Sequence, residues 1–246
     1  CLLPLIWTAG TAGYLFAGFK LRSIGLRTTG LVVLAFAGIL AARGYCYRIN
    51  ADYLPLLNWR FIGALAPILM AFAHATIFRR RHDLCQPSEN NFPEALYGIG
   101  ILLMAILTSW ESRVWLIAHE YRYLSRCLLP TIWIVTAAGY LAVAMKLRMP
   151  NLRTAAAAAL FVAALFAAHA YAFDMHSGYY LYLNARFAAA LALLVMAFAH
   201  AFVLRRMPHI STEQELSFAK VLYGVVVVSL FVLLNVETYL YFSKTI

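Results

Sequence analysis

Charge is what this sequence most lacks. Lys, Arg, Asp and Glu make up 12% of its 246 residues, whereas 64% are hydrophobic. A soluble globular domain has about a quarter of its residues charged, so water is excluded as the main solvent. The four cysteines, Cys1, Cys46, Cys85 and Cys127, have no paired spacing of the metal-binding or redox kind and read as packing residues. There is no Gly-x-Ser-x-Gly, no phosphate-cradling glycine loop, and no carboxylate or His–Cys cluster at metal spacing. These absences nominate no catalytic residue, no metal and no cofactor.

What is present is a series of long uncharged runs. They extend over 2–19, 28–42, 61–78, 95–110, 128–145, 154–173, 187–204 and 221–236. A bilayer core about 30 Å thick needs roughly 17 to 25 apolar residues per helix, so the runs predict eight transmembrane helices. The second run has only 15 residues, which requires Arg43 to snorkel or the helix to continue through it toward Tyr47. Barrel strands alternate in polarity over about ten residues; these runs are continuous and rich in Ala and Leu. The expected fold class is therefore an all-α integral membrane protein.

Adding 126 to a residue number carries the first half onto the second without insertions. CLLPLIW at 1–7 returns as CLLPTIW at 127–133, and 16 of the first 28 positions are identical. Asn58-Trp59-Arg60-Phe61 returns as Asn184-Ala185-Arg186-Phe187, MAFAHA at 70–75 returns at 196–201, and Glu111 returns as Glu237. The domains expected are a four-helix repeat over 1–126 and a second over 127–246. An even number of spans per repeat makes the two copies parallel, related by an axis along the membrane normal. A water-soluble solenoid would carry polar outer faces, which these repeats lack. Cys1, equivalent to Cys127, reads as an internal start within a longer protein.

Loops after odd-numbered helices hold twelve Lys and Arg residues, and the opposite side holds eight. The positive-inside rule then makes the loops after odd helices cytoplasmic. The net charge of +10 follows from topology, with anionic membrane lipid as its partner. Nucleic-acid binding would need a soluble basic face, so none is expected.

Several motifs resemble one family. They are Trp7 and Trp133 early in a helix, Leu26-Arg27 and Leu152-Arg153 after the next loop, His169 five residues before Asp174, and Asn-x-Arg-Phe opening the following helix. Together they are similar to the bacterial predicted membrane proteins called domain of unknown function 2339, and the similarity covers essentially the whole chain. The first copy departs from the pattern, with Arg43 and Arg48 where the second has His169 and Asp174. The resemblance implies a multi-pass protein of the bacterial inner membrane and supplies no activity.

A charge at mid-bilayer costs a few kcal/mol even on lenient scales, so the polar residues close to the hydrocarbon are the informative ones. Asn58, Arg60, Arg43 and Glu111 fall in one layer of the first copy, and Asn184, Arg186, His169, Asp174 and Glu237 fall in the same layer of the second. The repetition suggests pairing Arg60 with Glu111 and Arg186 with Glu237. As anchors these residues tie helices together; as a site they hold an anionic headgroup, a glycan or a polar segment of a partner. His74 and His200 sit in identical settings, and a polar residue bonding between helices describes them better than a haem ligand. In the connection over 205–220, Ser211 or Thr212 is expected to cap a short helix with Glu213 or Glu215 in its first turn. Tyr179, Tyr180 and Tyr182 read as an interfacial belt. The expected role is a non-catalytic component of a cell-envelope assembly, or a binder of lipid or amphiphile, with membrane lipids and other envelope proteins as partners. A transporter of a small or amphiphilic solute is the alternative, and an enzyme acting on lipid-linked glycans comes third.

Overall fold

The computed structural model describes residues 2–45, 58–119, 121–172, 181–207 and 211–245. Among them there is no strand. The elements are α1 (Leu2–Lys20), α2 (Ile24–Tyr45), α3 (Trp59–Arg80), α4 (Phe92–Ala118), α5 (Arg122–Leu147), α6 (Pro150–Tyr171), α7 (Ala185–Arg206) and α8 (Glu213–Thr245). Eight described helices are long and apolar enough to cross a membrane, and the chain is a multi-pass membrane protein. Its outward side chains agree with a lipid solvent. On α8, Val227, Val228 and Phe231 are each more than 60% exposed, a face that would associate in water and that hydrocarbon solvates.

The charge-free runs understate the helices. α2 has 22 residues and carries Arg43 in its last turn, so the helix does run through the arginine. α8 has 33 residues, roughly 50 Å at 1.5 Å per residue. It starts in the stretch expected to be a connector: the Thr212 hydroxyl accepts from the Glu215 N–H (3.2 Å) while the Glu215 carboxylate accepts from the Thr212 N–H (2.7 Å). This reciprocal capping box opens α8 itself, not a separate short helix. Asn58 and Asn184 cap α3 and α7 by accepting from the Phe61 and Phe187 N–H groups at 2.8 and 2.9 Å.

The chain divides into two compact units, Cys1–Trp115 and Leu116–Ile246. In the first, α1 packs on α2 and α3, and α2 on α3. α4 joins through Phe92 against Phe78 and through the Tyr97 hydroxyl, 2.9 Å from that of Thr76. Leu15, Leu34, Ala71, Ala75, Phe78 and Leu96 form one core cluster. In the second unit α5 packs on α6 and α7, α6 on α7, and α7 on α8. Ala137 and Ala144 of α5 and Ala156 and Ala163 of α6 are all fully buried. Small residues let helices approach closely where lipid offers no hydrophobic drive between them. The turns from α1 to α2 and from α5 to α6 each contain an arginine in the left-handed region, Arg22 (φ 51°) and Arg148 (φ 56°). Cys85 and Cys127 are free thiols, half-buried and buried; Cys1 and Cys46 lie outside the described residues.

Candidate functional site

The strongest polar contacts lie at the end of each unit that sequence reasoning left aside. Arg27, in the first turns of α2, donates Nε and Nη2 to the two carboxylate oxygens of Glu89 at 2.7 and 2.6 Å. Both side chains are about 1% exposed. The Gln86 N–H donates to the same carboxylate (2.8 Å), and Arg27 also lies over the Phe19 ring. In the second unit, Arg153 makes the same fork onto Glu215 at 2.7 and 3.1 Å, and Glu215 accepts from the Thr212 N–H. Each of these positions differs from its counterpart by 126. Arg27 and Arg153, two of the twelve Lys and Arg residues assigned above to loops after odd-numbered helices, are therefore buried and neutralised. The sequence did carry a signal for them: Glu89 and Glu215 fall at the repeat offset inside two otherwise dissimilar segments. A bidentate arginine–carboxylate pair is the strong form of this contact, and at these positions it fixes the helix ends.

At the opposite end, Asn58 and Asn184 do two jobs. Besides capping, the Asn58 amide donates to Glu111 at 3.3 Å and the Asn184 amide to Glu237 at 3.0 Å. Glu111 and Glu237 are essentially inaccessible. Glu237 also accepts from the Tyr171 hydroxyl at 2.7 Å. Arg186 is buried and lies over the Tyr171 ring, 4.8 Å from its centroid. Asn184, Arg186, Tyr171 and Glu237 thus form an internal cluster, in which Tyr171 was not anticipated. His169 is exposed in the last turn of α6; Asp174, Tyr179 and Tyr180 lie outside the described residues, and so does Arg48.

Arg60 is placed differently from Arg186. It is only partly buried and, with Arg43, lines a space of about 450 Å³ bordered by Pro4, Leu40, Trp59 and Gly63. Ala41 borders this space and also a second one of about 310 Å³, lined by apolar side chains of α2, α3 and α4 that include Gly38, Ala64, Pro67, Ile68, Leu107 and Trp110. Pro67 has no N–H, so the Gly63 carbonyl loses its helical donor beside the cationic space. The result in the first unit is an apolar chamber open on one side, where Ile106 and Trp110 are 47% and 49% exposed, next to a space bordered by two arginines.

His74 is fully buried and its Nδ1–H donates to the Met70 carbonyl of its own helix at 2.8 Å. His200 is likewise buried, edge-on to Phe218. Among the described residues, no group of three His, Cys, Asp or Glu side chains converges as a metal site would require. Compared with family models, with curated proteins and with solved structures, the chain matches none.

Proposed function

We propose that this membrane protein is a non-catalytic component that holds an amphiphile in its first unit. The observation that carries the reading is the open apolar chamber of about 310 Å³ between α2, α3 and α4, which shares Ala41 with the space beside Arg43 and Arg60. A concave apolar site with a few convergent polar groups is the usual form of a small-molecule site. Mass spectrometry of lipid retained by the purified full chain tests it. The expected result is a defined amphiphile at stoichiometric level, lost when Gly38→Ala, Gly63→Ala and Pro67→Leu are combined. These changes put into the first unit the residues found 126 positions later. Equal retention by the filled variant and the native chain would remove the reading.

Transport of the same amphiphile is the second reading, favoured by Pro67 inside α3, which leaves the Gly63 carbonyl without its helical donor beside the cationic space. The proposal includes membership of domain of unknown function 2339, residence in the bacterial inner membrane with loops after odd helices cytoplasmic, and partnership with other envelope proteins. Orientation is testable with Ser88→Cys, an exposed position between α3 and α4, in a background lacking the native cysteines. An impermeant maleimide is expected to label it only after the membrane is opened.

A further inference from the structure

The first unit has another recess, which shares no lining residue with the chamber between α2, α3 and α4. It is a groove of about 560 Å³ along α1 and α3, reaching Leu84 in the short helical turn His82–Leu84. We infer that this groove binds an anionic phospholipid, with the phosphate among Lys20, Arg80 and Arg81 and one acyl chain lying along the two helices. The site is independent of the chamber and of its proposed amphiphile.

Charge comes from one end of the groove. Lys20 closes α1, Arg80 closes α3 and Arg81 follows it, and all three are exposed basic side chains in the lining. Basic residues at helix ends ordinarily reach the headgroup layer one by one; here three, from two helices, border a single recess. Basic pockets between transmembrane helices take anionic headgroups, and guanidinium groups fork onto phosphate oxygens. The acids nearest to Arg81 in sequence are Asp83, exposed in the following turn, and Glu89, forked onto Arg27. Setting Asp83 against the three bases still leaves an excess of two positive charges.

Shape comes from the apolar remainder, in which Leu15, Phe16, Phe19, Met70 and Ile77 take part. Ala12 lies eight residues before Lys20 and Met70 ten before Arg80, so at 1.5 Å per residue the groove is about 12–15 Å long. That is half of a hydrocarbon core about 30 Å thick, the depth of a single leaflet. A partner's transmembrane helix would need the full thickness, and a free phosphate would leave the apolar walls uncovered; a phospholipid matches both parts. The floor is fixed before any ligand arrives. Leu15 is 2% exposed within the core cluster, and Phe19 packs edge-on to Phe78 at 5.4 Å with the Arg27 guanidinium 5.0 Å from its ring centroid. A preformed site loses less on binding. Phe16, 72% exposed, and Ile77, 39% exposed, flank the open side.

Quenching of an introduced tryptophan tests the site. The full chain carrying Phe16→Trp, in neutral detergent, is titrated with phosphatidylglycerol or phosphatidylcholine bearing brominated acyl chains. The native chain is the baseline, and Phe231→Trp, on the exposed face of α8, reports general lipid contact. At Phe16→Trp, phosphatidylglycerol is expected to quench at concentrations at least about tenfold lower than phosphatidylcholine, since each basic side chain near an anionic headgroup is worth about fivefold in affinity. At Phe231→Trp no such preference is expected. Combining Lys20→Gln, Arg80→Gln and Arg81→Met, the last being the residue found 126 positions later, is expected to abolish the preference. Lys20→Arg, Arg80→Lys and Arg81→Lys together are expected to keep most of it, and glycerol phosphate is expected not to compete. Equal quenching by the two lipids at Phe16→Trp, the same preference at Phe231→Trp, or a preference that survives loss of the three bases would each overturn the site. Competition by glycerol phosphate would overturn the part assigned to the acyl chain.

Discussion

The two units use the same polar fastenings around interiors lined by different residues. In both, an arginine at the start of one helix is forked onto a glutamate at 2.6–3.1 Å, and an asparagine caps a helix while holding a second glutamate. Between these fastenings, the first unit has Gly38, Gly63 and Pro67 around open space, whereas the second has Ala164, Ala189 and Leu193. Ionic contacts at the ends set where helices start and how they are clamped; the side chains between them set whether room is left for a ligand. One property can change without disturbing the other, and this separation is what substitutions should probe.

The largest effect is expected at the arginine–glutamate forks. Glu89→Gln leaves Arg27 as an uncompensated charge at 1% exposure, and breaking a buried pair from one side costs about 3–5 kcal/mol. Glu215→Gln should cost less, because Glu215 is 17% exposed and water can reach the partner left behind. Thermal unfolding in detergent should give that order, and equal losses would mean that the two forks are equally sealed. Next come the caps. Asn58→Ala and Asn184→Ala each remove a cap worth about 1 kcal/mol and a donor to a buried carboxylate, adding about 1–3 kcal/mol. In the second unit Tyr171 still donates to Glu237, so the double variant Asn184→Ala, Tyr171→Phe is expected to lose clearly more than Asn184→Ala alone.

The architecture was largely legible, since charges spaced at bilayer intervals dictate where helices can cross. The capping pattern at Thr212 and Glu215 was legible for the same local reason. The Arg27–Glu89 and Arg153–Glu215 forks were not, because their partners are 62 residues apart and each residue, taken alone, looks like a solvated loop charge. Asn58 with Glu111, and Asn184 with Glu237, stood out in sequence through their repetition. Their actual partners depend on which rotamer reaches which helix, and periodicity carries no information about that. The chamber was invisible for a different reason: empty space is a property of packing, and its only trace in sequence is the exchange of glycine for alanine between copies.

Two glycines of the first unit separate clamp from cavity most finely. A Cβ at Gly18 would lie 2.6 Å from Arg27 Cγ and 2.9 Å from the Arg27 backbone nitrogen, so Gly18→Ala should cost about 1–3 kcal/mol by overpacking. The second unit has Ala144 at the equivalent position, fully buried, so its helices accommodate the methyl. Ala144→Gly should therefore also destabilise, by about 1 kcal/mol from helix propensity, and a position that is costly in both directions would show that each hairpin is spaced for its own residue. Gly38→Ala has the smallest effect and the opposite sign. Nothing lies within 4 Å of a Cβ built there, so alanine should stabilise α2 by about 0.5–1 kcal/mol while narrowing the chamber. Higher thermal stability together with weaker retention of the amphiphile by the purified chain is the expected pair of results. Stabilisation without any loss of retention would mean that the proposed amphiphile does not run past α2.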